Sequence, residues 1–218
     1  MNSTPTTTTP YRQIRAAHTT DTVTVYQAYR PEIGDHAARH GRFPASWSRS
    51  RMTWIKPSFL WMMYRSGWGG KEGQERVLAL DISREGFESA LRGACLSHYD
   101  RRAYPDREAW AERLRATSVR VQWDPERDLG LRPLPYRSLQ LGLTGRATKD
   151  YADHWLRAVR DVTGLAHAVR DLVRSGDAAG ATALLPDESP YPLAAATAAA
   201  TAAVIGATTE LSGRPAPR

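Results

Sequence analysis

Residues 52–64, Met-Thr-Trp-Ile-Lys-Pro-Ser-Phe-Leu-Trp-Met-Met-Tyr, form the most apolar stretch of the chain, and their reading decides the fold class. Pro57 excludes one continuous helix, because it lacks a backbone N–H and pushes the residue before it out of the α region. The stretch predicts a short strand or turn before Pro57 and a buried helix after it. Strand and helix thus alternate locally within one apolar segment.

Working outward, Arg-Val-Leu-Ala-Leu-Asp-Ile at 76–82 reads as a strand. Ser83 can cap the helix that follows, where Phe87 and Leu91 lie one turn apart. Upstream, Thr22 to Tyr26 alternates with β-branched residues and predicts a strand. Pro31 then opens a helix with Ile33, Ala37 and Ala38 on one face, and Gly41 ends it. Downstream, Tyr104 to Arg115 predicts a helix capped by Asp106. Val119 to Trp123 predicts a strand that stops at Asp124-Pro125. Tyr136 to Leu143 predicts another, closed by Gly145. Residues 148–175 predict one long helix, since Trp155, Val159, Val162, Leu165, Val169, Leu172 and Val173 recur at threes and fours. Roughly four or five strands and as many helices, not in strict alternation, point to an α+β fold. The expected form is a single domain with a mixed or antiparallel sheet and packed helices.

The chain has 218 residues, enough for one such domain with tails. The expected boundaries are a disordered Thr/Pro tail over 1–10, the globular domain over 11–183 and an Ala/Thr/Pro-rich tail over 184–218. Within that last tail, 194–203 reads as a weak helix without a large apolar face. Deleting 1–9 and 186–218 is therefore expected to leave the melting temperature nearly unchanged. The single cysteine, Cys95, excludes an internal disulfide framework and a cysteine zinc site. No apolar run approaches membrane-spanning length, and Met1 to Pro10 lacks the features of a signal peptide. A cytoplasmic protein is the expectation.

Basic residues number 30 against 23 acidic ones, a net charge of +7, and only Lys56, Lys71 and Lys149 are lysines. A GC-rich coding sequence favours arginine in this way. A surface that attracts phosphate, from nucleic acid or a dinucleotide, does so too, because guanidinium binds phosphate bidentately and stacks on bases.

Four of the seven tryptophans stand at 47, 54, 61 and 68, with Phe59 and Tyr64 between them. They read as core packing or as the floor of a pocket. Interleaved Arg49, Arg51, Lys56 and Arg65 supply what base stacking and phosphate pairing require. Lys56 needs a carboxylate or an anionic ligand to lie in such a run. A ligand is expected, because Asp35 and Glu72 are both more than fifteen positions away. Arg12 and Arg15 are spaced to clamp a pyrophosphate. Arg137 and Leu139 fall on one face of their strand, and Ser138 and Gln140 on the other. Glu75, at the mouth of the 76–82 strand, is a candidate general base or cation stabiliser. His36 and His40 lie one turn apart but have no evident third metal ligand, so no metal is expected. Phosphate-loop, dinucleotide-fingerprint, zincin and nucleophile-elbow motifs do not occur.

The segments 11–43 (YRQIRAAHTTDTVTVYQAYRPEIGDHAARHGRF), 51–68 (RMTWIKPSFLWMMYRSGW), 74–87 (QERVLALDISREGF), 119–128 (VRVQWDPERD) and 136–143 (YRSLQLGL) resemble the family called domain of unknown function 4291. That family carries no established activity. A second resemblance is to the ADP-ribosyltransferase fold. Val25 to Ala28 followed by the Ile33–Gly41 helix is similar to its first strand-helix unit. Gln27 stands where that fold has Arg or His, with Arg15 or Arg30 to compensate. Gln74-Glu75 looks like a shifted version of its acidic or amide pair.

The second resemblance implies an NAD-dependent ADP-ribosyltransferase-like enzyme acting on RNA or DNA. Arg12 and Arg15 would hold the cofactor's pyrophosphate, Lys56 and Arg137 would also bind the cofactor, and Trp61 or Tyr64 would stack on nicotinamide. Glu75 or Gln140 would stabilise the oxocarbenium-like transition state. The alternative is a non-catalytic RNA- or DNA-binding module using the same basic aromatic surface. A third is an interaction domain whose arginines reflect codon usage. The enzyme requires Arg15, Lys56, Glu75, Arg137 and Gln140 to converge in one concave pocket, whereas the module requires an open basic groove.

Overall fold

The computed structural model describes residues 9–205. Of the tails expected at 1–10 and 184–218, residues 1–8 and 206–218 lie outside the described residues. The strands are β1 (Arg15–Ala16), β2 (Thr22–Tyr29), β3 (Thr53–Ile55), β4 (Arg76–Ser83), β5 (Cys95–Leu96), β6 (Val119–Arg127), β7 (Pro133–Leu143), β8 (Leu156–Asp161) and β9 (Ser189–Pro190). The helices are α1 (Pro31–His40), α2 (Phe59–Ser66), α3 (Arg84–Gly93), α4 (Arg107–Ala116), α5 (Gly145–Asp150), α6 (Thr163–Ser175), α7 (Ala178–Ala183) and α8 (Ala195–Ile205). The fold is α+β.

Local chemistry sets most of these limits. Pro31 starts α1, and Gly41, at φ 65°, ends it. Ser58 Oγ accepts from Trp61 N at 3.1 Å to cap α2 directly after Pro57. Ser83 caps α3 through Gly86 N, and Asp106 caps α4 through Ala109 N.

β4 is the centre of an antiparallel sheet ordered β2-β4-β8. A second sheet, ordered β3-β7-β6-β5, is antiparallel except for its β5–β6 pair. The sheets meet where Tyr26 N donates to Lys56 O at 2.7 Å. Gln27 reinforces that seam: its Nε2 donates to Trp54 O at 2.8 Å, and its Oε1 accepts from Tyr151 Oη at 2.7 Å. The main core lies between Val23, Val25, Leu78, Leu80 and Ile82 of one sheet and Val121, Leu139 and Leu141 of the other. Phe87 and Leu91 of α3 fill it. On the opposite face of the first sheet, Tyr26, Val77 and Ala79 pack against Phe59 and Met63 of α2 and Val169 of α6.

Three expectations are corrected. The helix expected over 148–175 is instead α5, a π-helical turn at Tyr151–Trp155, strand β8 and then α6. The apolar spacing of threes and fours coexists with strand alternation at Leu156–Asp161, and pairing with the free edge of β4 wins. Asp161 then accepts from Thr163 N at 2.8 Å to start α6 afresh.

The strand expected to stop at Asp124-Pro125 runs on to Arg127. A register shift at Pro125 absorbs its missing N–H.

Residues 184–205 are not a loose tail. β9 pairs with β1, Tyr191 is buried, and Thr197, Thr201 and Ile205 bury one face of α8. The segment docks here through hydrogen bonds as well: Thr197 Oγ1 donates to Glu88 Oε2 at 2.7 Å and Tyr191 Oη to Glu88 Oε1 at 3.1 Å.

Candidate functional site

The register of the second sheet builds the site. Ile55 pairs with Leu141, which sets Lys56 beside Gln140. On the other flank, Asp124 pairs with Ser138 and Gln122 with Gln140. Alternation then puts Lys56, Gln122, Asp124, Ser138 and Gln140 on one face, away from the core leucines. Trp54 lies flat over Gly142 on the same face, where a Cβ would meet its ring at 2.9 Å.

Lys56 is 1% exposed. Its Nζ donates to Asp124 Oδ2 at 3.1 Å and to Ser138 O at 3.2 Å, and lies 4.2 Å from the Trp61 ring centroid. The second Asp124 oxygen accepts from Gln122 Nε2 at 2.8 Å. Burial pulls the Lys56 ammonium down to about 8, against the opposing pull of Asp124 and Glu126. Lys56 is thus ion-paired, and the expectation of a lysine held free for a ligand is corrected. The strand continuing past Trp123 delivers the carboxylate from 68 positions away.

Lys56, Trp61 and Gln140 line a depression of about 630 Å³. Tyr29, Trp47 and Trp54 add aromatic walls, and Arg30, Arg51, Arg65 and Glu72 stand around it. Arg51 and Arg65 form no ion pair among the described residues. Gln140 is 8% exposed, and its Oε1 is buried without a partner, as is Ser138 Oγ. A cavity with buried polar atoms left over is furnished for a ligand or ordered water.

The other candidates lie elsewhere. Arg12 and Arg137 line a second depression of about 900 Å³. There Arg137 Nε donates to Tyr11 Oη at 3.0 Å, and Arg12 Nη2 reaches Asp100 at 3.5 Å. Arg15 lines a third, of about 390 Å³, with Ser58, Glu126, Tyr136 and Glu188. Glu75 folds back on its own turn, accepting from Gly73 N at 2.9 Å, and does not line the first depression. Tyr64 is exposed and covered by Arg127, whose guanidinium carbon is 3.6 Å from the ring centroid. Of the five residues expected to converge, only Lys56 and Gln140 share a depression.

Three carboxylates near Lys56 escaped the sequence reading. The alternation Val119, Val121, Trp123 turns Asp124 to the other face of its strand, but only the register of β6 on β7 sets it opposite Ser138. Glu126 accepts from Ser58 Oγ at 2.7 Å and from Arg127 N at 2.8 Å. Glu188 accepts from Phe59 N at 2.6 Å, and enclosure of its carboxyl pushes it up to about 8, with Glu126 adding to the rise. No periodicity marks Glu188, which sits in a proline-bordered segment. The His36 and His40 rings meet on α1 at a tilt, with centroids 4.3 Å apart. Among the described residues, no group of three or more His, Cys, Asp or Glu is arranged to hold a metal, and no helix is long and apolar enough to cross a membrane.

No curated protein matches the chain. A family model matches residues 13–191, a span that takes in every strand from β1 to β9 and the lining residues of all three depressions except Arg12. By that match the chain belongs to the family described as Domain of unknown function (DUF4291).

Proposed function

We propose that the first depression binds a nucleotide, NAD in the first instance, in the cytoplasm; the five-residue convergence set as the requirement for the enzyme is not met, so an ADP-ribosyltransferase-like activity on nucleic acid rests on Lys56 and Gln140 together with residues new to the site. The observation that carries this reading is the unpartnered, buried Gln140 Oε1 beside Lys56, in a cavity walled by tryptophans and edged by unpaired arginines. Such a cavity suits a ligand with phosphates, a planar ring and a donor amide or hydroxyl.

The roles shift from those read in the sequence. Arg51 and Arg65, in place of Arg12 and Arg15, meet the pyrophosphate. Trp54 and the free face of Trp61 receive a planar ring. Gln140 Oε1 accepts from a ligand amide or hydroxyl. Lys56 and Asp124 hold the sheet face rigid beneath them. NAD, when bound, supplies the ADP-ribosyl group. A buried lysine of lowered pKa in a cleft is also a recurrent mark of catalytic sites.

The test is titration of the full chain with NAD, followed by tryptophan fluorescence and calorimetry, and incubation with labelled NAD and RNA or DNA. Saturable binding is expected. Gln140→Leu should weaken it about tenfold, the worth of one hydrogen bond of ~1.4 kcal/mol to a buried acceptor. Absence of NAD binding by the wild-type chain would overturn the proposal. RNA or DNA binding without it would favour the non-catalytic module, a reading supported by how open and basic the depressions are.

A further inference from the structure

The second depression adjoins the first through one ion pair. Asp124 lines the second, and its carboxylate is bonded to Lys56, which lines the first. The lining is rich in arginine. Arg12, Arg101, Arg102 and Arg137 face two carboxylates there, Asp100 and Asp124. Both carboxylates are already engaged. Asp124 is paired with Lys56, and Asp100 accepts from Arg102 Nε at 3.1 Å and Nη2 at 3.0 Å. Arg12 is poorly satisfied: its one ion pair is 3.5 Å long, and its Nε is buried without a partner. Arg101 is exposed at the rim, beside exposed His98 and half-buried Tyr99. At about 900 Å³ the space exceeds what a single phosphate needs.

We infer that this second depression holds the backbone of a single-stranded nucleic acid, with Arg12, Arg101 and Arg137 on its phosphates and Tyr99 and His98 beside its bases. A concave basic surface with aromatic rims suits a single strand, whose phosphates and ring faces are both accessible. The inference rests on the preceding reading only in making this strand the acceptor. The shared Lys56–Asp124 wall would then set acceptor and nucleotide side by side.

Fluorescence anisotropy of the full chain with labelled oligo(U) and oligo(dT) of about twelve nucleotides, across a salt series, tests it. Arg101→Gln touches no folded contact and should weaken binding about threefold. Arg12→Gln/Arg101→Gln should weaken it about tenfold and flatten the slope of log K against log salt by about 1.4, at roughly 0.7 per phosphate contact. NAD affinity should be unchanged in both. Wild-type oligonucleotide binding by both variants would overturn the inference. So would a loss confined to Arg51→Gln or Arg65→Gln, which would put the strand in the first depression. If the oligonucleotide losses appear while wild type ignores NAD, the nucleotide reading fails and this one stands. Tighter binding of oligo(U) than of oligo(dT) would mark RNA as the strand, the reverse DNA.

Discussion

Lys56 Nζ and Asp124 Oδ2 lie 3.1 Å apart, the lysine 1% and the aspartate 13% exposed in their side chains. The pair is assembled by strand register: β3 and β6 both flank β7, and Lys56, one residue past β3, and Asp124 of β6 turn their charges to the same face. Two charges removed from water gain little net stability from each other, but either one left alone is costly. Their pairing therefore makes the face conditional on both residues.

Lys56→Met should destabilise the chain by roughly 3 to 5 kcal/mol, because Asp124 is left buried and unpaired. Lys56→Met/Asp124→Leu should regain most of that loss. Chemical denaturation of wild type and both variants measures it. A single variant as stable as wild type would show that Asp124 escapes to water.

Glu188 gives stability a pH dependence. Its ordinary value near 4.5 rises to about 8 in the folded chain, so the folded state holds a proton there that the unfolded state has released. That contribution is fully present below about 4.5 and is lost as pH climbs through 8. Lys56 acts in the opposite sense above that range. Its folded value of about 8 lies under the ordinary 10.5, and stability recovers between them as the unfolded chain retains the extra proton. Thermal melts should pass through a minimum near pH 8. In Glu188→Gln the fall between pH 5 and 8 should flatten, and an unchanged fall would assign it to other groups.

Gly142→Ala forces the Trp54 ring, 2.9 Å from the new Cβ, to move. Overpacking of this kind costs about 1 to 3 kcal/mol. Trp54 walls the first depression, so NAD affinity should fall along with the melting temperature. A variant that melts lower but binds NAD as wild type does would remove Trp54 from the ligand's surroundings.

Removing residues 186–218 should lower stability by at least about 3 kcal/mol, from the lost burial of Tyr191 and Ile205 alone. For a domain of this size that is a fall of roughly 6 to 12 °C. Differential scanning calorimetry of the truncated chain decides the point, and an unshifted melt would mean that α8 contributes nothing.

Punctuation residues made much of the fold legible. Pro31, Gly41, Pro57, Ser83 and Asp106 act locally, and the elements they bound stand where the sequence puts them. What failed depends on distant partners. Leu156–Asp161 becomes a strand only because β4 offers an open edge. The helix at α8 offered no large apolar face to read, because Thr197 docks through Glu88, more than a hundred residues earlier. The site divides in the same way. Lys56, Trp61 and Gln140 stood out as polar or aromatic residues in apolar runs. Arg12, Arg15 and Arg137 stood out equally, and no local rule distinguishes which depression a long cationic side chain will enter. The carboxylates that set Lys56's state became visible only with the register of β6 on β7.

The two-residue ladder between β1 and β9 joins Arg15 to Pro190 and Ala16 to Ser189. A ribosome that has released the chain only as far as α7 therefore presents a nascent domain with β1 unmatched and with Glu188 absent from Phe59 N. Closure across so long a span comes late in folding, because the loop entropy is lost before the contacts repay it. The third depression therefore forms only when distant segments meet: its walls include Arg15 and the 182–188 segment, and protease resistance of β1 in stalled chains should appear only once β9 has emerged.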